Sequence, residues 1–434
     1  MKQKLFVLSM DAMVFEDLEY MATKPNFQRL FSKRAQVERV QSVFPAITYP
    51  CHTTLATGCN PGKHGIYNNY AFMDHDDNKK HWYLFKKSVR VEDIFAAAKR
   101  AGCTTASVYW PICGCNPNID HIINEYFFFY PEEDFEEAFR RMGADEVALD
   151  VVREHKHILE ARRAGDKSLS IDHFTMRCVC SMIRKAKPDV MLVHNSTPDS
   201  FRHRYGVFGE QVKEALDRTD MWLGDVIAAM EDAGTFEDTN FVLLSDHGQL
   251  DYSRRVRLNV LLAERGFVDI APDGTVYDWQ VLAQSNGMSA SVYLRDPGNK
   301  VIYDQVYAYL QELVDCGEYG FTHVYTTEEA KEKYGTYGPF SFIIATDGKT
   351  SVSPEWTADA IEELGDGELR PVKGNHGHEP ELGPQPIFVA RGPAFKEGAV
   401  LKTAKLIDIA PTLAGALGQE LPQAEGRCLR ELLK

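Results

Sequence analysis

No stretch of this 434-residue chain approaches the roughly 20 consecutive apolar residues that a membrane-spanning helix needs. An excess of positive charge is also missing. The 48 Lys and Arg stand against 63 Asp and Glu, a formal net charge of −15. Such a surface repels polyanions, which argues against a broad nucleic-acid-binding face. A small phosphate ester remains within reach of an acidic protein if bound metal ions supply local positive charge. The nine cysteines show no zinc-ribbon or redox spacing, because Cys113-Gly-Cys115 and Cys178-Val-Cys180 are too tight. They read as reduced core thiols. The apolar run Leu5–Leu8 near the N-terminus is too short for a signal peptide and is followed closely by Asp11, so the cytoplasm is the expected location. Internal repeats, low-complexity tracts and long linkers are absent as well.

What is present is a series of short apolar runs ending abruptly in polar residues. Leu5–Leu8 precedes Ser9-Met-Asp11, Val190–Val193 precedes His194-Asn195, and Phe241–Leu244 precedes Ser245-Asp246-His247. A fourth, Ile387–Ala390, precedes Arg391-Gly392-Pro393. Continuous Val/Leu/Ile/Phe runs predict strands buried on both faces, hence a mainly parallel sheet. Helical patterns at 91–101, 174–186, 209–233 and 406–417 alternate with them, which predicts an α/β sandwich with helices flanking the sheet. Residues 1–252 and 371–434 are assigned to a metal-binding catalytic core, with a substrate-side excursion near 73–164. Residues 253–370 are assigned to an inserted, smaller α+β lobe containing a strand Ser289–Arg295, a helix Val301–Val314 and an acidic helix Pro354–Gly365. The aromatic run 126–130 is read as packing, and His155 and His157 as surface residues.

Ligands of parallel sheets bind at the carboxyl ends of the strands, where Asp11, Asp199 and Asp246-His247 fall. Asp246 and His247 can both reach one cation from the irregular backbone beyond a strand; taken alone, Ser-Asp-His-Gly reads first as a strand-ending turn. Asp199 and His203, four apart, share one face of a helical turn, and Asp199 alone also reads as an N-cap. His376 sits in the glycine-flanked loop Gly374-Asn-His376-Gly-His378, with His378 taken as a neighbour. Thr48 lies between Pro45 and Pro50, which predicts that helix begins only at His52. A threonine hydroxyl is a poor nucleophile until a dication lowers its pKa; alone, Thr48 also reads as a cap or turn residue. Together, three Asp and three His form two sets of nitrogen and oxygen ligands. Without thiolate they suit zinc, with manganese or iron as alternatives. Two cations about 4 Å apart clamp the attacking and leaving oxygens of an in-line displacement at phosphorus.

The order Asp11, Thr48, Asp199-x-x-x-His203, Asp246-His247-Gly248 and His376-Gly377 resembles the alkaline phosphatase superfamily. Phe-Pro-x-x-Thr48-Tyr-Pro-x-His52 and Thr57-Gly-x-x-Pro-x-x-His64-Gly-Ile-x-x-Asn69 resemble, within it, the type I phosphodiesterase/nucleotide pyrophosphatase family. That resemblance implies a two-metal hydrolase acting on a small phosphate ester through a threonine nucleophile and a covalent phospho-enzyme. It implies Asp199, His203 and His376 on one zinc, and Asp11, Thr48, Asp246 and His247 on the other. Asn69 would donate to a non-bridging phosphate oxygen together with the backbone N–H of Tyr49, whose ring would stack against a leaving group. Two departures bear on the substrate. His194 stands where many nucleotide-cleaving members have tyrosine, and Asn195-Ser-Thr-Pro198 replaces an acidic run. A phosphonate or phosphomonoester hydrolase of the same superfamily is the alternative, with Lys63 and Arg202 as candidate extra cations. An inactive binding module is the alternative from another class, set against the complete ligand set.

Overall fold

The computed structural model describes residues 3–73, 81–127, 132–166, 168, 170–365 and 372–434. Its centre is an eight-stranded sheet. The spatial order is Val400–Lys405, Ala35–Gln41, Phe388–Arg391, Thr239–Leu244, Lys4–Met10, Val190–Asn195, Thr105–Val108 and His121–Ile123. All pairings are parallel except the two made by Phe388–Arg391. The runs that predicted buried strands are strands, and the fold is the expected α/β sandwich.

The side-chain period of two explains the two layers. In Lys4–Met10, Phe6, Leu8 and Met10 point into a core shared with helices Ile171–Ala186 and Val212–Ala233. Leu5 and Val7 point the other way, into a core shared with helices Thr48–Thr57, Ile94–Arg100 and Ile409–Ala416. A strand covered on both faces has no polar side, which is why these segments lack alternation.

Residues 254–363 build a separate antiparallel sheet, ordered Val281–Ser285, Ser289–Leu294, Phe342–Thr346 and Phe321–Thr326, with helix Lys300–Asp315 packed on a hydrophobic core of its own. This region meets the central sheet's side of the protein at several places, one of them the loop that holds His376. Met288 N–H donates to the His376 carbonyl at 2.8 Å, and Ser289 Oγ donates to the Gly377 carbonyl at 2.7 Å. Asn68 Nδ2 donates to Ser285 O and Asn286 Oδ1, both at 2.9 Å.

Four expectations are corrected. The stretch near 73–164 is not wholly an excursion, since Thr105–Val108 and His121–Ile123 complete the central sheet. Pro354–Gly365 is not a helix: Ile361–Glu363 pairs with Arg254–Val256, and Glu362 meets Arg255 and Arg257 at 3.0 and 2.6 Å. Its acidic residues answer cations on a neighbouring strand, a long-range pairing with no helical signature. His155 is buried, with Nε2 2.9 Å from Ser181 Oγ, whereas His157 is exposed. Helix starts at Thr48 despite Pro50, because a proline in the first turn gives up only an N–H that no helical carbonyl would have accepted. Parts of the runs 126–130 and 362–368 lie outside the described residues.

Candidate active site

Three adjacent parallel strands deliver the acidic residues. Lys4–Met10 lies between Val190–Asn195 and Thr239–Leu244, with Ser9 opposite His194 and Leu244, so all three carboxyl ends face the same way. Asp11 continues the ladder through its N–H to Asn195 O at 2.9 Å. The chain then turns through Ala12 at φ 55°, and Ala12 N–H donates to Asp246 Oδ1 at 3.2 Å. That left-handed turn, unusual for a residue with a Cβ, ties two of the predicted ligands together.

Helix Thr197–Tyr205 follows the strand ending at Asn195 and presents Asp199 and His203 on one face, with His203 Nε2 3.4 Å from Asp199 Oδ1. His376 Nε2 comes within 3.8 Å of the same oxygen. Asp199, His203 and His376 offer donor atoms that all lie within 4.8 Å of one another. Asp11, Asp199 and His247 form a second such group, so Asp199 stands between the two. Asp246 reaches this second group through Oδ2, 3.2 Å from His247 Nε2.

The donor chemistry fits cations. Asp11 Oδ1, Asp246 Oδ2, His247 Nε2 and His376 Nδ1 are buried atoms without a hydrogen-bond partner. Each such orphan costs about 1–3 kcal/mol unless something satisfies it. Burial, then the carboxylates of Asp246 and Asp199, pushes the Asp11 carboxyl well above its usual range. Positive charge between these carboxylates relieves that repulsion. Burial, followed by His247 and His203, holds His376 well below the usual histidine range and so neutral, the form that ligates a metal. His203 Nδ1 pairs with Gly374 O at 2.8 Å and His247 Nδ1 with Gly248 O at 3.2 Å, which leaves both Nε2 atoms to the site. His378 is buried but belongs to neither group.

Thr48 is the first residue of helix Thr48–Thr57, half-buried, with Oγ1 3.5 Å from Asp11 Oδ2. The first-turn N–H groups and the helix dipole favour an anion beside it. Tyr49 N–H donates to Asn69 Oδ1 at 2.9 Å, so the donor end of this amide, Nδ2, is left for a substrate oxygen. The Tyr49 N–H therefore holds Asn69 instead of standing beside it as a second donor. The Tyr49 ring is 1% exposed and its hydroxyl donates to Glu125, so it offers no open face for stacking.

Several residues that hold this site escaped the sequence reading. His52, visible only as part of a motif, has Nδ1 2.8 Å from Thr48 O and 3.3 Å from Asp246 Oδ2, and Nε2 2.8 Å from Ser9 Oγ. Gln249 Nε2 donates to Asp199 Oδ1; its only signal is its place just after Asp246-His247-Gly248. Glu125 carried no local signal at all. The two candidate cations are spent elsewhere. Arg202 is fully buried, binding Ala12 O at 2.9 Å, Val207 O and Asp17, and Lys63 donates to Gln423 O.

Gly377 holds φ 92°, and a Cβ there would collide with the carbonyl oxygen of Asn286. Gly377→Ala is expected to destabilise the protein by about 2 kcal/mol or more, read as a lower thermal midpoint. Weaker metal retention should accompany it, because His376 is the adjoining residue. An unchanged midpoint would contradict this close approach.

Residues 5–379 match the family described as type I phosphodiesterase / nucleotide pyrophosphatase. The chain belongs to that family. It is accordingly a hydrolase of phosphoric esters. Human "Bis(5'-adenosyl)-triphosphatase ENPP4" is 22% identical over 416 residues, covering 91% of this chain and 74% of that protein. Human "Ectonucleotide pyrophosphatase/phosphodiesterase family member 5" is 24% identical over 429 residues, covering 96% and 74%. The solved structure of human ENPP5 superposes with a TM-score of 0.68 at 21% identity over the whole of both chains, which shows a shared fold. Murine ENPP5, with a TM-score of 0.66 at 20% identity and full coverage of both chains, has also been solved as an inactive threonine-to-alanine variant in complex with AMP. Among the described residues of this family member, no helix is long and apolar enough to cross a membrane.

Proposed function

We propose that this family member cleaves phosphodiesters, with Thr48 as nucleophile and two divalent cations, zinc by preference, held by Asp11, Asp199, His203, Asp246, His247 and His376. The observation that carries this reading is the Thr48 hydroxyl at a helix N-terminus, 3.5 Å from Asp11 and beside two adjoining donor groups. The inactive threonine-to-alanine variant of murine ENPP5 supports the same role for a threonine.

When bound, the cations supply positive charge that lowers the Thr48 hydroxyl pKa and offsets charge on the phosphoryl and departing oxygens. The chain's own residues do the rest. Thr48 releases its hydroxyl proton to solvent, its Oγ attacks phosphorus in line as the bond to the leaving oxygen breaks, and the departing alcohol takes up a proton from solvent. Asn69 Nδ2 donates to a non-bridging oxygen, and first-turn N–H groups favour its negative charge. Water then attacks the phosphothreonine, releasing the phosphate monoester and restoring the hydroxyl.

Preference for diesters follows from how the cations are spent. A monoester dianion gains more from extra cationic donors, and Arg202 and Lys63 are committed to protein carbonyls and Asp17. The kcat/KM ratio for a chromogenic phosphodiester over the matching monoester is expected to exceed about 10, roughly 1.4 kcal/mol in transition-state binding. A ratio below one would place the protein among phosphomonoester hydrolases, with nucleophile and metals unchanged.

A further inference from the structure

His194 stands out because both its ring nitrogens face carboxylates inside the protein. Nε2 lies 3.0 Å from Asp11 Oδ2, and Nδ1 lies 3.5 Å from Glu125 Oε1. The other oxygen of Glu125 accepts the Tyr49 hydroxyl. Tyr49 is bonded in sequence to Thr48, whose Oγ1 returns to Asp11 Oδ2 at 3.5 Å. The contacts therefore close a ring: Thr48, Tyr49, Glu125, His194, Asp11 and back to Thr48. Tyr49, Glu125, His194 and Asp11 are all buried, so water does not compete for these bonds.

We propose that His194 and Glu125 are positioning residues, which hold Asp11 by Oδ2 and the nucleophile's helix through Tyr49. This inference rests on the two-metal, Thr48-centred reading above. Its consequence for Asp11 is specific. With Oδ2 engaged by His194, the oxygen left for a cation is Oδ1, which has no hydrogen-bond partner and lies 3.5 Å from His247 Nε2. Outer partners of this kind orient a ligating carboxylate, and their loss costs about 10–100-fold in metal affinity or activity.

Bulk packing alone does not account for the arrangement. A buried imidazole between two buried carboxylates is costly unless both contacts are needed, and an apolar residue would fill the same space without them. The ring also links residues far apart in sequence, from the ends of three different strands, to the one hydroxyl assigned as nucleophile.

The test separates the two ends of the imidazole. Glutamine places its amide nitrogen near the position of Nε2, and asparagine near that of Nδ1. His194→Gln should keep the Asp11 contact, and His194→Asn should keep only the Glu125 contact. Zinc titration of metal-free protein by calorimetry is expected to show His194→Asn weakening one of two sites by about tenfold or more. His194→Gln should stay within about threefold of wild type at both. In steady-state hydrolysis of a chromogenic diester, His194→Asn should lower kcat about 30-fold while KM moves less than about threefold. Tyr49→Phe, which cuts the ring at Glu125, should lower kcat with zinc binding unchanged. Thermal midpoints of the metal-free proteins provide a control on packing. Equal zinc binding and kcat in His194→Asn and wild type would overturn the proposal, as would equal losses in the Gln and Asn variants tracking their midpoints. Wild-type protein that turns over a diester while these variants behave alike refutes the positioning role alone. Wild-type protein that binds no zinc refutes the functional reading and this inference with it.

Discussion

Thr48→Ala is expected to lower kcat/KM for a chromogenic phosphodiester by about 10³-fold or more, roughly 4 kcal/mol of transition-state stabilisation. The size follows from what the substitution removes. The other groups at the site bind, polarise or orient, whereas Thr48 Oγ forms the bond to phosphorus. The fold should survive, because Thr48 is half-buried, its hydroxyl meets Asp11 at a long 3.5 Å, and it sits in a first turn that alanine tolerates. Most of the metal should also remain, since the Asp and His donors are untouched. Thr48→Ser should retain partial activity because it keeps the hydroxyl. Acid-quenched reactions with a labelled diester should trap phosphothreonine in the wild type and none in the alanine variant. Turnover by Thr48→Ala within about tenfold of wild type would rule out the covalent route.

Removal of metal is expected to have the other large effect. Exhaustive dialysis against a chelator should abolish hydrolysis, and zinc or manganese should restore it at about two ions per chain. The donor geometry makes the two sites unequal. Asp11→Ala should lose one ion and keep the other on Asp199, His203 and His376. Asp199 offers donor atoms to both groups, so Asp199→Ala should lose the ion at that triad and weaken the second as well. Metal analysis of the two variants, beside their kcat/KM, distinguishes these patterns. Full activity in metal-free protein would end the two-metal reading.

Much of the sheet was legible because burial on both faces leaves a local mark. Leu5–Leu8, Val190–Val193 and Phe241–Leu244 are apolar without alternation, which only strands between two helical layers require. The direction of Phe388–Arg391 was not legible, since an antiparallel strand buried on both faces has the same composition as a parallel one. Thr48 showed the opposite failure. Pro50 argued against helix by a rule for helix interiors, and the first turn is exempt from it.

The sequence by itself determined the chemistry on offer: hard nitrogen and oxygen donors at strand ends, one threonine among prolines, and no thiolate set. Each piece is local, set by residue type and spacing. Only the tertiary structure decided which groups meet. It brought Asp199 between two donor groups, turned Tyr49 inward onto Glu125, spent Arg202 on Asp17 and the carbonyls of Ala12 and Val207, and set His194 between Glu125 and Asp11. Apart from Arg202 with Val207, five positions along the chain, these pairings join residues tens to hundreds of positions apart. No period or motif encodes them, because they depend on how the sheet orders its strands and on which side chains are left buried without another partner.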